Sequence, residues 1–147
     1  MITLRRLRQV DRERVLSRID ELDGYLRELD TVMPTDFSEY EVIEKKRSCE
    51  RLLQIAIEAL IDVCALMVTG LRLGMPSEED DIFDKLEQSK IITPVMKETL
   101  KRMKGFRNIL VHEYGRIDDN LVYDILKNNI EDFRAFKKEI LDALKRV

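Results

Sequence analysis

The stretch KRMKGFRNILVHEYGR, from Lys101 to Arg116, gathers the side chains best suited to work on a phosphate. It holds Lys101, Arg102, Lys104, Arg107 and Arg116 against Glu113 alone, in a chain where 29 acids outnumber 26 lysines and arginines. A local cluster of this kind attracts polyanions even when the net charge, here −3, has the opposite sign. The only histidine, His112, lies in the same stretch and is the one side chain able to exchange a proton near neutrality without a perturbed pKa. Arg107 is a permanent, forked phosphate donor, and Lys101, Lys104 and Arg116 are candidate phosphate-binding cations around it. On a helix, Asn108 and His112 are four apart and share a face, whereas Arg107 is turned from His112 by about 140°. Arg107 therefore meets His112 only if the helix unwinds near Gly115, or if a second subunit brings the partners together. Basic residues also collect near helix C-termini because they complement the dipole and bond the last carbonyls. Spacing alone leaves the catalytic and the structural reading open.

The apolar period shows which elements must hold these residues. Five helical segments are expected and no strand. The first runs from about Leu4 to Leu29, with Leu7, Val10, Val15, Ile19, Leu22, Leu26 and Leu29 as its stripe. TVMPTDF is a connector, and Thr35, Asp36 or Ser38 can cap a second helix from about Ser38 to Val68. That helix is apolar almost all round except for Gln54, Glu58 and Asp62, as expected of a central helix with one polar stripe. After Pro76, SEEDD puts acids in the first turn of a short third helix, where the dipole favours them. Thr93-Pro94 is a cap and first-position signature for the fourth helix, which ends near Gly115. Asp118 or Asp119 caps a fifth, whose seam runs Val122, Leu126, Asn129, Phe133, Phe136, Ile140; a lone Asn in such a seam specifies register. Short connections favour antiparallel neighbours, so the expected architecture is all-α, a four- to five-helix up-down bundle in a single domain, residues 1–147.

Composition agrees and removes other classes. Five Gly and three Pro are too few for the corners of an all-β fold. Aromatics are 6% and Trp is absent, which disfavours a base-stacking platform. Cys49 and Cys64 fall in one helix at a separation of roughly 22 Å, far beyond disulfide reach. Two free thiols suit a reducing cytoplasm. One His and two Cys on one rod cannot make a tetrahedral zinc site, which excludes a classical zinc centre; no cofactor is expected. Glu58 and Asp62 interrupt the longest apolar run, and the first residues carry charge from Arg5 onward, so neither a membrane span nor a leader is expected. The arginines at 5, 6, 8, 12, 14 and 18 alternate with acids, the pattern of a solvated helix face.

Arg107-Asn108-Ile109-Leu110-Val111-His112-Glu113-Tyr114 resembles the R-x4-H-x-Y motif of HepT-like toxins in the HEPN superfamily. The likeness extends to DRERVLSRIDELDGYL and CERLLQIAIEALIDV and covers nearly the whole chain. The resemblance implies a dimeric HEPN bundle and a metal-independent endoribonuclease, the toxin of a type VII-like toxin–antitoxin pair, neutralised by a nucleotidyltransferase antitoxin. It implies RNA as substrate, Arg107, Asn108 and His112 as catalytic residues, and Tyr114 as the residue the antitoxin adenylylates. Attack by the RNA's own 2′-hydroxyl, leaving 2′,3′-cyclic phosphate ends, needs a base, an acid and donors to the phosphoryl oxygens. One histidine does not easily serve as both acid and base, and a two-fold dimer would supply a pair. The alternative implied by related bundles is a non-catalytic substrate-binding partner of a small nucleotidyltransferase.

Overall fold

The computed structural model describes residues 7–147, and among them every regular element is helical. Leu4, Arg5 and Arg6 lie outside the described residues. Helix α1 is Gln9–Val32, and its buried positions Val15, Ile19, Leu22, Leu26 and Leu29 recur every four then three residues against α3. Asp36 caps a single turn, α2 (Phe37–Tyr40), by accepting from the Glu39 N–H at 2.8 Å. The expected second helix is thus two pieces, because Val42 is extended, with ψ at 127°, before α3 (Ile43–Gly70) begins.

Helix α3 is the central rod, packed against α1, α2, α4 and α5. By length and composition alone it could cross a membrane. Its apolar surface is instead used inside the bundle, where Leu53, Ala56, Leu60, Val63, Cys64 and Met67 are fully enclosed. Cys49 and Cys64 are both free and buried, and burial pushes the Cys49 thiol up to about 11. Gly70 lets the start of α1 approach closely, since a Cβ there would lie 2.6 Å from Leu7 Cδ1 and 3.3 Å from Asp11 Cβ.

Helix α4 (Glu79–Gln88) buries Ile82, Phe83 and Leu86 and presents acids in its first turn. Helix α5 (Pro94–His112) opens on Thr93, whose hydroxyl accepts from the Met96 N–H at 3.1 Å, with Pro94 next in line. A 3₁₀ turn, Tyr114–Arg116, follows. Helix α6 (Asp119–Asn128) is capped by Asp118, and α7 (Ile130–Arg146) completes the bundle.

The expected fifth helix is therefore broken at Asn129. This residue takes φ −119° and ψ 1°, ending one helix and starting the next, while its amide donates to Asp132 at 3.2 Å. The backbone stops and restarts at this residue, so Asn129 marks a break instead of setting a register. Helix α7 runs antiparallel to α1. Arg12 donates to the Leu144 and Val147 carbonyls, both at 2.9 Å, and Lys137 pairs with Asp23 at 2.7 Å. Arg12 is therefore a tertiary clamp on the last carbonyls of α7, whereas Arg8 and Arg18 pair locally with Asp11 and Glu21 as a solvated face would.

Candidate functional site

Helix α5 divides its circumference among three environments. Met96, Leu100, Phe106 and Leu110 are buried in the bundle. Lys101, Gly105, Asn108 and His112, spaced four, three and four apart, form the opposite stripe. His112 is exposed at its end, and open space lies above Gly105, where an added Cβ would meet no atom within 4 Å. On one flank is a cavity of about 420 Å³ lined by Ile57, Met103, Phe106, Ile109, Ile125 and Phe133 among others. Its lining reaches Gly105 at the edge of the polar stripe but includes neither Arg107 nor His112.

The other flank is covered by α4, and here the charges differ from the expectation. Lys97 pairs with Glu87 at 3.5 Å, Lys101 with Asp84 at 2.9 Å, Lys104 with Asp80 at 2.6 Å and Arg107 with Glu79 at 2.5 Å. The acids of α4 meet the bases of α5 in antiparallel order. Lys101 and Lys104 are thus not an open basic patch: each already has a carboxylate, and Asp84 holds the Lys101 ammonium above its usual pKa. Their spacing could have revealed this, because Asp80, Asp84 and Glu87 carry the same four-then-three interval as Lys97, Lys101 and Lys104. The helix dipole favours acids at the start of α4, and the bases of α5 are what those acids face.

Arg107 is the best enclosed of these cations, with its side chain 15% exposed. Its Nε donates to Asn108 Oδ1 at 3.0 Å and one terminal nitrogen donates to Glu79. Asn108 therefore orients the guanidinium through its oxygen, and no bond from Asn108 to His112 is made among the described residues. Helix α5 stays regular through His112, with the Glu113 N–H still bonded to the Ile109 carbonyl at 2.9 Å. It ends three residues before Gly115, where Glu113 takes φ −126° and ψ 32°. Within one chain the helix does not unwind to bring Arg107 to His112. Arg116 is exposed in the 3₁₀ turn and makes no ion pair among the described residues. The backbone of Tyr114 opens that turn, and its side chain lies outside what the structure describes.

Helix α3 carries a polar stripe of its own. Gln54 donates to Glu58 at 2.8 Å, and Asp62 continues the face. Loss of water pushes the Asp62 carboxyl above its ordinary pKa, opposed by the charges of Arg18 and Arg107. No cluster of His, Cys, Asp and Glu suited to a metal ion occurs among the described residues.

Residues 15–140 match the family described as ribonuclease HepT-like. The mRNA nuclease HepT of Shewanella oneidensis is 36% identical over 84 residues, which is 57% of this chain and 63% of that protein. The tRNA nuclease HepT of Aphanizomenon flos-aquae is 27% identical over 125 residues, 84% of this chain and 85% of that one. Among solved structures, the tri-AMPylated Shewanella oneidensis HEPN toxin in complex with MNT antitoxin superimposes with a TM-score of 0.80 at 28% identity, covering 87% of this chain and 96% of that one.

Proposed function

Because this chain belongs to the ribonuclease HepT-like family, we propose that it is an endoribonuclease toxin of a toxin–antitoxin pair, acting in the cytoplasm on RNA without a metal ion. The observation that carries the reading is Arg107, enclosed and oriented on α5 with Asn108 bonded to it and His112 exposed on the same helix. Two of the five N–H donors of Arg107 are engaged, and the remaining three can hold a phosphoryl oxygen pair. The amide nitrogen of Asn108 supplies a further donor to the charge that builds on those oxygens. His112 takes the proton of the 2′-hydroxyl, which then attacks the adjacent phosphorus and expels the 5′-oxygen. The products are a 2′,3′-cyclic phosphate and a 5′-hydroxyl. The departing oxygen needs a proton donor, and a two-fold dimer places a second His112 where one cleft can use both. Arg116, and Lys101 and Lys104 once phosphate displaces their acids, guide the RNA backbone into that cleft.

The partner is a nucleotidyltransferase antitoxin. AMP added to Tyr114, two residues past His112, would bring a bulky anion to the mouth of the cleft and repel RNA. The free, buried thiols of Cys49 and Cys64 fit a reducing compartment.

The test is RNA cleavage by the wild type, Arg107→Ala and His112→Ala. Both variants are expected to lose most activity while keeping the helical circular dichroism of the wild type, with cleavage by the wild type persisting in EDTA. Products with 5′-phosphate ends, or a strict need for added metal, would refute the 2′-hydroxyl mechanism.

A further inference from the structure

Arg107 is a long, flexible side chain on a helix, yet two nitrogens of its guanidinium are held by partners from different places. Asn108 takes the Nε–H from within α5, at 3.0 Å, and Glu79 takes a terminal N–H from the first turn of α4, at 2.5 Å. One tether fixes a point; two tethers on neighbouring nitrogens fix the plane of the fork and the direction of its unused donors. We propose that Glu79 is the positioning residue of the reaction, acting through Arg107 and touching no reacting atom itself, an inference that rests on the ribonuclease reading above.

The Glu79 rung is separable from the packing of α4. Ile82, Phe83 and Leu86 anchor that helix in the core, and Asp80, Asp84 and Glu87 hold it to α5 independently. The Glu79 carboxylate is 39% exposed, and its removal leaves the 15%-exposed Arg107 still bonded to Asn108. Its effect on RNA has a definite sign. A carboxylate beside Arg107 lowers the local positive potential, so RNA binds despite it and not because of it. What it supplies is orientation. Misplacing a phosphate donor lowers the rate of the chemical step and leaves ground-state affinity unchanged or slightly improved.

Glu79→Ala and Glu79→Gln are compared with the wild type by steady-state cleavage of a short fluorogenic RNA, alongside their melting temperatures. Glu79→Ala is expected to lower kcat by about tenfold or more, with KM equal to or below the wild-type value. Glu79→Gln keeps the accepting oxygen and is expected to restore most of that kcat. A loss of folded protein would also lower apparent kcat at unchanged KM, so kcat is taken per folded enzyme, at a temperature below every variant's melt and with the active fraction titrated. An unchanged or raised kcat in Glu79→Ala would overturn the inference, because the carboxylate would then merely compete with RNA. A second measurement does not depend on cleavage: the arginine side-chain signals in 15N–1H spectra, with Arg107 assigned from an Arg107→Lys sample. Resolved, slowly rotating guanidinium signals in the wild type that average in Glu79→Ala support the tether, and signals already averaged in the wild type overturn it. A wild type that holds Arg107 rigid but cleaves no RNA would refute the ribonuclease reading while leaving the tether standing.

Discussion

Neutralising the acids that cover Lys101 and Lys104 should strengthen RNA binding, and the structure sets the size of the effect. The double substitution Asp80→Asn, Asp84→Asn removes two carboxylates that lie 2.6 and 2.9 Å from those ammonium groups. Both pairs are partly open to solvent, with side chains between 21% and 35% exposed, so the lysines are reachable by phosphate once their partners are neutral. Each cation that takes up a phosphate on a single strand steepens the plot of log affinity against log salt by about 0.7. Two freed lysines should therefore steepen it by about 1.4. The cost to folding is small because α4 keeps its apolar anchors; losing the Asp80 charge from the first turn removes a dipole contribution of about 0.5 kcal/mol. The assay is fluorescence anisotropy with a labelled single-stranded RNA across a salt series, in a His112→Ala background so that the probe survives. An unchanged slope would show that RNA does not run past Lys101 and Lys104. Weaker binding at every salt concentration would show that the acids organise the site, and would refute the view that they mask it.

Three further outcomes follow from the packing and the charges. Gly70→Ala should destabilise by about 1 kcal/mol in urea unfolding, since overpacking against Leu7 and Asp11 outweighs a helix-propensity gain of about 1 kcal/mol, whereas Gly24→Ala, with only Arg27 at 3.8 Å, should show the gain alone. Asp81 accepts from both the backbone N–H and the hydroxyl of Ser77, at 3.0 and 2.7 Å, which holds its carboxyl below the ordinary pKa. A depressed acid contributes stability above its unfolded pKa of about 3.9 and loses it as pH falls through the folded value, so thermal melts should show an acid-side loss that is smaller in Asp81→Asn. Asp62 is the reverse case: its raised pKa means that folding disfavours the charged form, so Asp62→Asn should raise the melting temperature at neutral pH and match the wild type once acid protonates the carboxyl.

The helices were legible in the sequence because their signals are local. The buried stripe of α1, the Thr93-Pro94 start of α5 and the Asp36 and Asp118 caps depend on residues within a turn or two of each other. The same holds for the cluster that ends α5, since the types and spacing of Arg107, Asn108 and His112 are properties of one segment. The breaks at Val42 and Asn129 were the local exceptions, and the second shows why. An apolar interval that continues in phase through Leu126, Phe133 and Phe136 conceals a backbone that stops and restarts, because side-chain periodicity does not record main-chain hydrogen bonding.

What only the tertiary structure decided is which neighbour each face meets. Periodicity shows that Lys97, Lys101 and Lys104 share a side of α5, but a helix face carries no information about the element laid against it. The burial of Ile82, Phe83 and Leu86 docks α4 there, and that docking turns a segment that reads as a basic patch into a ladder of ion pairs. It also gives Arg107 its second tether, Glu79, 28 residues away in the chain. The sequence by itself determined the chemical groups and the rods that carry them. Long-range apolar packing decided which charges are neutralised and which guanidinium is held, because the register between two helices is set by the core they share and not by either helix alone.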